Sequence, residues 1–107
     1  MSQLQQLQFP IDKAIFEEVL AGLPPGWTRA SLDVKVTHLS AEGASYGIRI
    51  DGLGQPGLAT VSDELQNRVR ELFLLNERFK TDLIGFTYTY TQAPDGRWAF
   101  EADYEYS

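Results

Sequence analysis

Glu101, Asp103 and Glu105 stand at alternate positions near the end of the chain. In an extended strand, alternate side chains share one face, so neighbouring carboxylates stand about 6.6–7 Å apart. That arrangement suits paired acid–base work on a glycoside, ligation of a hard cation or attraction of a basic partner. The first two fit poorly. A chain this small shows no cleft for a sugar, and a calcium site draws more of its oxygens from a turn. A solvated strand face and a surface for a basic partner remain. The single histidine, His38, has no second histidine to form a metal pair. A lone histidine near a strand end is more often a partly buried residue than a base. No Ser–His–Asp, lysine-based or glycine-rich catalytic arrangement can be assembled. The glycines of Asp51–Gly57 lack the Lys-Ser/Thr and the spacing of a phosphate loop. No enzyme, cofactor or metal site is expected.

The element that must position these carboxylates is a C-terminal hairpin. Ile84, Phe86, Tyr88 and Tyr90 point one way along the first run, and Gly85, Thr87 and Thr89 the other. Ala93-Pro94-Asp95-Gly96 reverses the chain: proline presets φ, aspartate bonds its own backbone and glycine tolerates positive φ. The return run places Trp98, Phe100, Ala102, Tyr104 and Tyr106 opposite Arg97, Ala99, Glu101, Asp103 and Glu105. The aromatic side is expected to be core, with Tyr90 and Tyr106 at strand ends where a hydroxyl reaches water.

The rest of the chain supplies the cover. Residues 1–9 read equally as a tail or as a first helical turn. From Pro10, the apolar stripe Ile11, Ile15, Phe16, Val19, Leu20 and Leu23 predicts a helix. Gly22 and Pro24-Pro25-Gly26 end it. Trp27–His38 alternates, with Ala30, Leu32, Val34, Val36 and His38 on one side. After a turn at Ala41-Glu42-Gly43, a second strand puts Ala44, Tyr46, Ile48 and Ile50 on its apolar face, and the two form a hairpin. Asp51–Gly57 reads as a flexible loop and Leu58–Val61 as a short edge strand. Ser62, Asp63 and Glu64 start a helix whose buried stripe is Leu65, Val69, Leu72, Phe73 and Phe79. The order α-β-β-(β)-α-β-β predicts one α+β domain over residues 1–107. It is a two-layer sandwich in which both helices pack on one face of an antiparallel sheet of four to five strands. The other face is left open and polar.

The chain has 107 residues, no cysteine and a net charge of −6. One domain fits that length, and the missing cysteines exclude disulfides and thiolate chemistry. The acidic balance argues against nucleic acid, whose phosphates need clustered Lys and Arg. No apolar run spans a bilayer and the first residues lack the pattern of a signal peptide, so a cytoplasmic protein without membrane contact is expected.

Several motifs go further. Pro24-Pro25-Gly26-Trp27, leading into Arg29–Val36, resembles the Pro-x-x-Trp entry to the first strand of the YezG-like immunity proteins. Ile84–Tyr90 followed by Asp95–Tyr106 is similar to that family's ending: a Thr-rich strand, a turn exit and a terminal Asp-Tyr-acid. The likeness spans roughly residues 11–107 in element order. It departs at Leu83-Ile84-Gly85, where the family usually has a tryptophan, and at the glycine-rich loop 52–57. It implies an antitoxin that binds the C-terminal domain of a bacterial polymorphic toxin and blocks it stoichiometrically. Many such toxins are nucleases with basic grooves that an acidic protein can cover. The expected contact residues are Glu101, Asp103, Glu105, Asp33 and Asp51 on the open face, with Tyr90 and Tyr106 as anchors. A monomer or weak homodimer is expected. The competing readings are a small-ligand domain with an aromatic pocket under the helices and a structural homo-oligomer paired through strand edges.

Overall fold

The computed structural model describes residues 3–40 and 43–107, apart from the side chains of residues 38–44. Its elements are α1 (Gln3–Ala21), β1 (Arg29–Ser40), β2 (Gly43–Asp51), α2 (Asp63–Arg78), β3 (Leu83–Gln92) and β4 (Trp98–Tyr106). The strands form one antiparallel sheet in the order β2-β1-β3-β4, with both helices on the same face. The fold is the expected α+β sandwich.

Among the described residues there is no fifth strand. Leu58–Val61 is irregular. The Thr60 N–H donates to the Gly22 carbonyl at 2.9 Å, which ties this backbone to the end of α1 and not to a sheet edge. The glycine-rich loop before it is not loose either. The Gln55 amide bonds the Thr28 N–H at 2.6 Å and the Arg29 carbonyl at 2.7 Å, and Trp27 Nε1 donates to the Pro56 carbonyl at 2.7 Å. Gly52 lies against the Trp27 ring so closely that a Cβ there would stand 2.5 Å from a ring carbon. The loop is a clasp on the buried tryptophan.

Helix α1 starts at Gln3, with Pro10 in its interior. Proline lacks the N–H that would bond the Gln6 carbonyl, and an interior proline costs roughly 3 kcal/mol. Contacts beyond the helix offset this. Gln8 and Asp12 are buried, and Asn76 Nδ2 of α2 donates to Gln8 Oε1 at 3.1 Å. Residues 3–9 are therefore part of the folded helix and not a tail.

Helix α2 follows its sequence closely. Ser62 Oγ accepts from the Leu65 N–H at 3.0 Å, Asp63 and Glu64 occupy the positive end, and Leu65, Val69, Leu72 and Phe73 are buried, whereas Phe79, expected in the same stripe, is the C-cap and only half-buried. At the other end Thr81 N–H bonds the Asn76 carbonyl and Lys80 N–H the Glu77 carbonyl, with Lys80 at φ 58°. This is a Schellman closure with lysine where glycine is usual.

The core lies between the layers. Ala30, Leu32 and Val34 of β1 are fully buried, as are Tyr88 and Tyr90 of β3. Each large apolar side chain so buried contributes about 1.5–3 kcal/mol. Phe73 of α2 lies 4.4 Å from Tyr46 of β2 and 5.8 Å from Phe86 of β3. Phe16 of α1 lies 5.6 Å from Tyr90 and 5.0 Å from Phe100. Helix α1 thus roofs the β3–β4 hairpin, and α2 reaches across β1 to the β2 hairpin. The order αββ-αββ, with β1 and β3 antiparallel at the centre, gives the sheet an approximate twofold arrangement. A register shift between Val36 and His38 pairs His38 with Ser45. The His38 side chain, expected on the apolar side, lies outside the described residues.

Candidate functional site

Strand alternation builds the open face, and register orders it into rows. One row runs Arg49 (β2), Asp33 (β1), Thr87 (β3), Asp103 (β4); the next runs Asp51, Ser31, Thr89, Glu101. A third places Lys35 beside Gly47 and Gly85, with Glu105 at its outer end. Glu101, Asp103 and Glu105 are exposed on an edge strand, as expected. Among the described residues, Glu101 and Asp103 take part in no ion pair, while Glu105 lies 3.8 Å from Lys35. Both partners of that pair are well exposed, so it is worth little.

The other candidates divide differently. Asp33 is half-buried in the face and accepts from Thr87 Oγ1 at 2.8 Å and Ser31 Oγ at 3.4 Å. Asp51 is occupied by local structure. It accepts from the Leu53 N–H at 2.9 Å and pairs with Arg49 at 3.0 Å, and these bonds hold its carboxyl below the usual range. Tyr90 is not a surface anchor: it is fully buried under Phe16 and Phe100. Tyr106 is half exposed but faces the helix side, because alternation sets it opposite Glu105. The sheet therefore separates both tyrosines from the acidic rows.

Sequence reasoning missed a second group of polar residues, which runs through the helix layer. Tyr88 Oη donates to Asp12 Oδ1, and Tyr104 Oη donates to Asp12 Oδ2 at 2.7 Å. Gln8 also bonds Asp12 and accepts from Asn76, whose Oδ1 accepts from Thr81 Oγ1 at 3.0 Å. Burial pushes the Asp12 carboxyl above its ordinary value, against the opposing pull of its hydroxyl and amide donors. Burial, together with the Asp12 charge, raises Tyr88 and Tyr104, which stay protonated. By helical spacing Asp12 reads, with Lys13, Glu17 and Glu18, as part of the polar face opposite the apolar stripe, yet it is buried. Only the pairing with Tyr88 and Tyr104, more than seventy positions away, shows that it turns inward.

Beside this network, an open cleft of about 830 Å³ lies between the first half of α1 and the end of β4, with Asp12, Phe9, Tyr104 and Tyr106 among its lining residues. No cluster of three or more carboxylate or imidazole ligands occurs among the described residues. None of their helices is long and apolar enough to cross a membrane. No protein-family model matches the chain, and no curated protein is significantly similar to it.

Proposed function

We propose that the protein is a stoichiometric, non-catalytic inhibitor that holds a basic toxin domain against its open sheet face. The observation that carries this reading is the unneutralised acid of β4. Glu101 and Asp103 stand exposed on an edge strand, without a cation among the described residues, on a face that neither helix covers. The resemblance of the Trp27 entry and the terminal hairpin to the YezG-like immunity proteins supports the choice of a toxin as partner. A basic groove meeting this face would pair with Glu101 and Asp103 and compete with Lys35 for Glu105. The short side chains of Thr87, Thr89 and Thr91 leave room for a flat approach. Inhibition by occlusion needs no bond making, which suits a face without a reacting pair.

The test is co-expression with the product of the gene directly upstream, where the inhibitor reading expects a toxin. The wild type is expected to co-purify with that domain in equal amounts and to abolish its toxicity. Charge reversal at Glu101→Lys, Asp103→Lys and Glu105→Lys together should weaken the complex by about a hundredfold or more, with the variant still folded by circular dichroism. Unchanged affinity would remove the acidic face from the interface. Failure to capture any toxin domain would sink the inhibitor reading itself.

A further inference from the structure

The cleft beside α1 combines a buried carboxyl group with exposed aromatic walls. Its volume, about 830 Å³, lies within the roughly 300–1,000 Å³ of small-molecule sites. Phe9 is 67% exposed and Tyr106 50% exposed, although both are large and apolar enough to be covered. Leu4 and Tyr104 add apolar surface to the lining, which the amides of Gln5, Gln6 and Gln8 complete. The Ser107 N–H donates to the Asp82 carbonyl at 2.9 Å and so fixes the chain just after Tyr106. Helix α1 fixes the opposite wall.

Asp12 lies in this lining and is only 9% exposed. Its contacts are the neutral donors Tyr88, Tyr104 and Gln8; among the described residues no ion pair involves it. A carboxylate has about four acceptor positions, so these three donors leave one open. A buried carboxylate without a cation is unfavourable, and a cation entering from the cleft relieves it. Aromatic walls also favour a cation, through the negative faces of their rings. An anion would meet the Asp12 carboxylate directly.

We infer that the cleft between α1 and β4 binds a small organic ammonium ion carried on an apolar body. Asp12 is its counter-ion, and Phe9, Tyr104 and Tyr106 form its walls. The site lies on the helix side of the sheet, so a ligand there and a protein on the acidic rows approach from opposite faces. The inference does not depend on the inhibitor reading.

The experiment is a titration of the isotope-labelled protein, following backbone amides by NMR. Three probes share one apolar body: phenethylammonium, the neutral 2-phenylethanol and the anionic 3-phenylpropanoate, all at matched ionic strength. Phenethylammonium is expected to give saturable shifts confined to residues 3–12 and the end of β4, with the alcohol at least about tenfold weaker and the carboxylate silent. Asp12→Asn keeps the shape and removes the charge, and should weaken phenethylammonium by about tenfold while leaving the alcohol unchanged. Tyr106→Ala, at a half-exposed wall, should weaken both. Equal binding of ammonium and alcohol would overturn the proposal, as would shifts scattered over the acidic rows or no saturable shift at millimolar probe. Should Asp12→Asn fail to fold, the three-probe comparison on the wild type and Tyr106→Ala decides the matter.

Discussion

Tyr90 and Tyr88 sit two positions apart on one strand face, and their hydroxyls meet opposite fates. Tyr88 donates to Asp12, whereas the buried Tyr90 hydroxyl has no hydrogen-bonding partner among the described residues. A buried unpaired hydroxyl costs about 1–3 kcal/mol. Tyr90→Phe keeps the ring against Phe16 and Phe100 and removes that cost. It should raise stability by about 1 kcal/mol and the melting temperature by about 4 °C, measured by calorimetry and urea melts. A loss of stability would mean that the hydroxyl is bonded. Asp12 yields a pH prediction. Its carboxyl in the folded protein is raised above the ordinary 3.8, so the folded chain holds that proton more tightly than the unfolded chain. The linked stabilisation is complete below the unfolded value and is lost as pH rises through the folded one. The wild type should therefore gain stability relative to Asp12→Asn as pH falls from neutral toward the ordinary carboxylate value. Urea melts across that range check the sign, and a relative loss on acidification would contradict it. The period-two rule was enough to place Glu101, Asp103 and Glu105 together. The same rule sets Tyr90 and Tyr106 against them, so what the sequence concealed was not direction but depth.

Among the elements, those with local determinants were legible. Ser62 with its following acids marks the start of α2, and the turn at Ala93–Gly96 closes as its residues require. Gly96 N–H bonds the Ala93 carbonyl at 2.9 Å, with Gly96 at φ 89°. Elements held by distant partners were not legible. Pro10 suits the first turn of a helix and leaves residues 1–9 open between tail and helix, yet α1 runs through it because Gln8 and Asp12 are anchored on α2 and the sheet. The 52–57 loop reads as flexible because glycine is flexible, yet Gln55 and Pro56 bind backbone and ring atoms more than twenty positions away. Gly52 is needed there for space and not for its backbone freedom. An added Cβ meets the Trp27 ring at 2.5–2.9 Å. Gly52→Ala should destabilise the fold by about 1–3 kcal/mol, the usual cost of overpacking, and shift tryptophan emission to the red as the clasp opens. A urea midpoint unchanged from wild type would show that the clasp is loose.

For the whole molecule, a net charge of −6 and a face whose outer edge is acidic would steer the basic partner proposed above. The association rate of the proposed complex should fall about tenfold between low and high salt, while dissociation changes little; stopped-flow mixing measures both. A salt-independent rate would mean that the acidic rows do not guide the encounter. The crossing of the helices carries a different consequence. Each αββ half leaves part of the apolar face of its own hairpin to be roofed by the helix of the other, and β1 meets β3 only at the centre of the sheet. Cutting the chain in the connection between β2 and α2 would therefore yield two fragments that cannot each bury a core, but whose exposed surfaces are complementary. Mixed in equal amounts, they should reassemble into the native sheet, as two halves of a clasped pair of hands do.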